Sequence, residues 1–335
     1  MHFTAVSSIA ATFELRFSAG IGPAATGEHG WLPMPTIGGS TGEIPTLSIV
    51  PMQGQEFAER LLRPFDEAKV ALLLSQGYDV DALLRLLAAG FLPLGSRDGL
   101  LSQNAPASRE GYVAFRRVVA HLSSVQDRHL LRVAPVRFTL HRVTPAASMS
   151  PDTLRELSAE STLRYDAERQ VYEHDATVTG RTLVSNYDPQ ELSNDERQQL
   201  HERMARLPAN AVMIDVRAGI PGGEVPIHGA MLMRSFLHVL EFVGRGVAVD
   251  PEFDVAPDPR TPLIQENPAR ALAVIESASA PSDASLSVSL DAMHYSLARD
   301  VGYPWNRRAF AILYQLFQLT LATPRVQPPL ISVGT

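Results

Sequence analysis

The chain has 335 residues, 45% of them hydrophobic and 19% charged, with a formal net charge of −7 and a pI near 5.8. That balance supports a sizeable core, argues against wholesale disorder, and gives no overall basic field to draw in a phosphate backbone, so nucleic acid is not an expected partner. There is no cysteine, which excludes structural disulfides, thiolate nucleophiles and thiolate zinc sites.

The opening MHFTAVSSIAATFELRF lacks the charged start and continuous apolar run of a signal peptide. No later stretch approaches the roughly 18 apolar residues of a membrane helix, so no transmembrane segment is expected. Phe3, Ala5, Ile9, Ala11, Phe13, Leu15 and Phe17 alternate with polar residues including Thr4, Thr12, Glu14 and Arg16. Period two over that length predicts one long strand, with Ile9, Phe13, Leu15 and Phe17 on its buried face. It starts without a lead-in, and Met1 is therefore expected to fall inside a larger unit. Residues 19–43 are rich in glycine, proline and threonine, a loop long enough to act as a mobile flap or a partner contact. A short strand is expected at 46–50.

Three helices come next. Phe57 and Leu61 lie one turn apart until Pro64 stops the run; a second helix covers 66–76 and ends at Gly77; Asp79 can cap a third. In that third helix Val80, Leu83, Leu84 and Leu87 form the apolar stripe and Arg85 is expected to face outward. After a polar loop, Ser108 can cap a helix carrying Tyr112, Phe115, Val119 and Leu122. Its paired Arg116 and Arg117, like Arg307 and Arg308, are expected on solvated faces.

Val136, Phe138 and Leu140, then Leu163 and Tyr165 facing Val171 across a polar turn, predict antiparallel strands. Ser193 and Glu196 have capping-box spacing ahead of a helix with Leu200 and Met204. A strand at 212–216 and a helix at 230–243 with Leu232, Phe236, Val239 and Leu240 on one side lead to a proline- and acid-rich crossover at 250–268. Strands at 272–275 and 286–290 precede a last helix at 308–321, apolar on most faces and expected to be buried. The fold class is therefore α+β, a mainly antiparallel sheet packed by several amphipathic helices, as one large body or two closely packed subdomains. In the second case residues 1–145 hold the long strand and a helical part, and residues 146–335 an α+β part with the crossover.

Gly38-Gly39-Ser40-Thr41-Gly42 has the spacing of a hydrolase nucleophile elbow. Its surroundings favour a loop, because Pro33, Pro35 and Pro45 flank it and no helical pattern starts at Gly42. Ser40 is the single catalytic candidate, and it requires an acid-oriented histidine within hydrogen-bond reach. No metal site is expected: His201-Glu202 is followed by Ala205 where a zinc hydrolase has its second histidine, and Asp79 and Asp81 lack the further oxygen donors of a cation loop. No phosphate loop is present and residues 219–223 read as a turn, so no cofactor is expected. His238 reads as a hydrogen-bonded structural histidine.

Three blocks resemble a family of uncharacterised bacterial proteins, many of them cell-envelope proteins with lipoprotein signals. They are IPTLSIVPMQGQEFAERLLRPFDEAKVALLLSQGYDVDALLRLL at 44–87, MLMRSFLHVLEFVGRGVAV at 231–249, and YPWNRRAFAILYQLFQLTLATPRVQPPLISVGT at 303–335. The resemblance implies no activity and no catalytic residues. It implies a periplasm-facing envelope location, although this chain lacks a lipidated cysteine and reads as cytoplasmic as written. The expectation is a non-catalytic binding or assembly protein of the bacterial cell envelope, with a serine-type hydrolase using Ser40 and a small-molecule-binding regulatory module as alternatives. A protein partner or self-association is expected through residues 3–17, whose edge carries no proline or lysine to blunt it, or through the loop at 19–43.

Overall fold

The computed structural model describes residues 55–95, 100–160, 163–279 and 286–321. The expected strand at 3–17, the loop at 19–43 with Ser40, and the expected strand at 46–50 lie outside the described residues. The chain divides into two units, residues 1–57 and 58–335, and every described element belongs to the second apart from the first turn of α1.

Helices α1 (Gln55–Leu62), α2 (Glu67–Ser75) and α3 (Val80–Leu87) lead into strands β1 (Ala88–Pro93) and β2 (Ser102–Gln103), then α4 (Arg109–Asp127). Asp66 caps α2 by accepting from the Lys69 N–H at 3.0 Å, and just beyond it Gly77 takes φ +83°, which glycine adopts without strain. Strand β3 (Arg132–Pro145), α5 (Pro151–Glu160), β4 (Leu163–Asp166), β5 (Val171–Ser185), α6 (Asn194–Ala205), β6 (Ala211–Val216) and β7 (Ile227–Met233) come next. The chain closes with α7 (Phe236–Ala248), β8 (Val274–Ser277), β9 (Ser287–Leu290), β10 (Met293–Leu297) and α8 (Trp305–Leu321).

Seven strands form one sheet in the order β2-β1-β7-β6-β5-β3, with β4 also paired to β5. Every pair is antiparallel except β5 with β6, which run parallel at Leu183–Ser185 against Met213–Asp215. The fold is thus α+β with a mainly antiparallel sheet. Strand β3, ending at Pro145, pairs with β5 along its length, so the sheet runs across residue 145. A second sheet has three strands in the order β8-β10-β9.

Strand β6 is buried at all six positions. Val212, Ile214 and Val216 enter a large core with residues of α2, α3, α4, α7 and α8, while Met213 enters a smaller core with Leu183 of β5 and Leu200 and Met204 of α6. A strand covered on both faces needs an apolar run rather than alternation. In Ala-Val-Met-Ile-Asp-Val, Asp215 is the one interruption.

Several expectations are corrected. The helix expected at 230–243 starts at Phe236, because Ile227–Met233 is a strand between β1 and β6. A run buried on both faces cannot be told from a buried helix by periodicity. Gly229 marks the strand's closeness to its neighbour, since a Cβ there would stand 2.3 Å from the Phe91 ring. Arg85 and Arg116, expected to face water, are buried. Helix α8 is not covered all round: Ala309, Ile312 and Leu316 are buried, but Phe310 and Tyr314 are exposed. Asp79 and Ser108 occupy N-cap positions without side-chain capping bonds. His238 is exposed and bonds the Ser235 hydroxyl at 3.0 Å. The Ser193–Glu196 capping box is present in both its bonds.

Candidate functional site

Where a protein binds or reacts, its fold leaves polar groups or apolar surface unanswered. Three polar clusters and one sheet face differ on that criterion. The most deeply buried cluster joins Arg85 of α3, Tyr112 and Arg116 of α4, and Glu252 of the crossover. Arg116 Nη1 donates to the Tyr112 hydroxyl at 2.9 Å and the Ala269 carbonyl at 3.0 Å, and Nη2 to Asn267 Oδ1 at 2.8 Å. Glu252 Oε1 accepts from the Tyr112 hydroxyl at 2.8 Å and lies 3.5 Å from Arg85 Nη2.

Burial and the charge of Arg116 push Arg85 below the ordinary arginine range, against the pull of Glu252. Its Nε and Nη1 have no hydrogen-bond partner, but the guanidinium lies 5.2 Å from the centroid of the Trp305 ring, which favours a cation. Burial also pushes Arg234 down to about 10 and Asp81 up to about 6. The carbonyls of Pro268 and Ala269 are both spoken for by Arg85 and Arg116. This cluster fastens the crossover to α3 and α4.

The second cluster grows from Asp215, the interruption in β6. Its Oδ2 accepts from the Tyr187 hydroxyl and from Arg217 Nε at 2.9 Å, and its Oδ1 lies 3.1 Å from His228 Nδ1 on the neighbouring strand. Burial alone would raise the carboxyl, but hydrogen bonds from His228, Tyr187 and Arg217 outweigh it and hold Asp215 below the ordinary carboxylate range. Burial and the bond to Asp215 push the Tyr187 hydroxyl up. His228 is half-exposed. An acid therefore orients a histidine here; the candidate Ser40 lies outside the described residues. Sequence patterning does not single out Asp215, although a lone acid in an apolar strand demands partners.

The third cluster lines a cavity of about 210 Å3 bounded by Gln76, Gly77, Tyr78, Asp79, Arg308, Ala311 and Ile312. That is below the roughly 300–1,000 Å3 of small-molecule sites. Asp79 accepts from the Tyr303 hydroxyl and from Arg308 Nη1 at 3.1 Å, so its charges answer each other. No group of three or more potential metal ligands occurs among the described residues.

The small sheet differs in kind. Its registers put Val288, Leu290, Met293 and Tyr295 on one face with Val274, Leu297 and Glu276, and Ser287, Ser289, Ser277 and His294 on the other with Ile275. Val274 and Leu297 pack against the large core, but Val288 and Leu290 are 63% and 61% exposed. Here apolar surface, not charge, is left unanswered. No protein-family model, no curated protein and no solved structure matches the chain. No helix among the described residues is long and apolar enough to cross a membrane.

Proposed function

We propose that the protein is a non-catalytic binding or assembly protein of the bacterial cell envelope and that it acts through the apolar face of the small sheet. The observation that carries this reading is the solvent exposure of Val288 and Leu290, adjacent on one strand face. Contiguous exposed apolar surface marks interaction sites, whereas scattered apolar residues do not. The envelope location rests on the resemblance of residues 44–87, 231–249 and 303–335 to proteins found there. The contact regions expected at 3–17 and 19–43 belong to the same proposal. Affinity capture from a bacterial envelope extract tests it: wild type should retain a component that Leu290→Lys loses with its circular dichroism unchanged. Identical retention by the two proteins would overturn it.

A second reading is a serine-type hydrolase using Ser40, which requires a histidine oriented by an acid. Hydrolysis of an activated ester by wild type and Ser40→Ala separates the two readings. The first expects no difference between them; loss of turnover in Ser40→Ala would replace it with the second.

A further inference from the structure

Resting on the small sheet as a binding surface, we infer that its partner is a second copy of this chain, paired antiparallel along β9 about a two-fold axis at Val288. Strand β9 ends its sheet, bonded among the described residues to β10 on one side. The Leu286 carbonyl accepts from the Leu297 N–H at 3.3 Å. By antiparallel alternation Leu286, Val288 and Leu290 then direct their backbone polar groups to β10, and Ser287 and Ser289 direct theirs to the other edge, which no described residue pairs. Open edge groups are a template for another strand.

The sequence of that edge chooses the strand. Residues 286–290 read Leu-Ser-Val-Ser-Leu, the same in both directions. Antiparallel pairing centred on Val288 sets Leu286 against Leu290 of the second copy and Ser287 against its Ser289. Each serine pair exchanges both N–H···O bonds, and Val288 meets its own copy in the closer, non-hydrogen-bonded type of pair. A slip of one residue would face leucine with serine, and a slip of two would shorten the paired run to Val288, Ser289 and Leu290 or to Leu286, Ser287 and Val288.

Charge points the same way. No charged residue lies between Leu286 and Leu290, so two copies meet without like-charge repulsion. The opposite edge strand, β8, carries Glu276 on the apolar face and is not symmetric in sequence. The pairing is isologous and closes on itself, and the apolar faces of both sheets become one continuous surface. A strand of this length buries less than the roughly 1,200 Å2 of a standard interface, so the dimer is a weak one.

The cysteine-free chain makes the test clean. In Val288→Cys the two thiols would sit on Cα atoms about 4.5 Å apart, within the range a disulfide spans. Leu263→Cys, at a residue 94% exposed in the crossover, is the control for random collision. Under mild oxidation Val288→Cys should form covalent dimer about tenfold faster or more, because pairing raises the effective thiol concentration. Sedimentation of wild type should show a concentration-dependent monomer–dimer shift that Val288→Lys abolishes. Equal cross-linking rates, or a wild type monomeric at the highest concentration, overturn the dimer. If the dimer fails while Leu290→Lys still loses an envelope component, the binding surface stands and only the identity of its partner is wrong; if both fail, the surface falls too.

Discussion

The two sheets obey one rule of alternation and end in opposite states. In the large sheet β6 is buried at every position, with helices of the main core on one face and α6 on the other. In the small sheet β9 is exposed at every position, although its apolar residues share a face as regularly as any in the chain. The difference lies in what the rest of the chain supplies. Around β6 even the charges are answered internally, Asp215 by three donors. Around β9 the described chain offers β10 on one edge and solvent on the apolar side. A strand whose apolar residues share one face is suited to a cover, and none of the described residues supplies one to Val288 and Leu290.

The sharpest way to break this comparison is to remove one internal answer. Glu252 is the carboxylate beside Arg85 and Arg116, both of which are almost wholly buried. Glu252→Gln keeps the volume and the Tyr112 contact but removes the carboxylate closest to two buried guanidinium groups. Breaking a buried pair in this way costs about 3–5 kcal/mol. Urea denaturation should show that loss, and a loss below about 1 kcal/mol, the range of exposed ion pairs, would mean that water reaches the cluster.

That cluster also shows where the sequence stops being legible. The antiparallel pairing of β3, β4 and β5, the α2 boundaries and the Ser193 capping box are local patterns, and the structure has them. Periodicity sends Arg85 to solvent because its partners are remote: Glu252 lies 167 positions along the chain. Local patterning places a charge outside by default. Nothing within a helical turn of Arg85 announces that a crossover will fold over it. The second half of β7, residues 230–233, reads as the start of a helix for a related reason, since Ala-Met-Leu-Met is apolar on both faces and tertiary pairing alone decides its period. The candidate surface is half legible: 286–290 reads as a strand from its alternation, but its exposure depends on what fails to pack there. The oriented histidine at His228 is not legible, because Asp215 meets it only through the β6–β7 register.

A second effect, somewhat smaller, concerns pH. Burial pushes the Asp81 carboxyl up to about 6 from 3.8, against the opposing pull of Arg85. The folded state therefore holds this proton more tightly than the unfolded state does. Its contribution to stability is complete below pH 3.8 and is lost as pH rises through 6. A shift of that size corresponds to about 3 kcal/mol. Asp215 has the opposite sign, its contribution being present above 3.8 and lost as pH falls, so the wild-type profile mixes both. The difference between Asp81→Asn and wild type isolates the first. That difference should move in favour of the variant by about 3 kcal/mol between about pH 4 and pH 7 in urea denaturation. A difference that stays flat would show Asp81 to be solvated.

The smallest effect on stability falls on the small sheet and sharpens the comparison most, because valine occurs in both sheets. Val212 on β6 is 2% exposed and Val288 on β9 is 63% exposed. Val212→Ala removes two buried methyl groups and should cost about 1–3 kcal/mol. Val288→Ala removes methyl groups that already face water, and Val288→Lys adds a charge that can stay there, so either should change unfolding by no more than about 0.5 kcal/mol. The measurement has to be made at low protein concentration, since any dimer adds stability by mass action and would inflate the apparent cost. Repeating it at high concentration turns this into a second reading of the association. The Val288→Lys cost should grow with protein concentration, while the Val212→Ala cost stays constant. A Val288→Lys cost of about 1–3 kcal/mol at every concentration, like that of a buried valine, would place Val288 under a cover supplied by its own chain, and the two sheets would no longer differ.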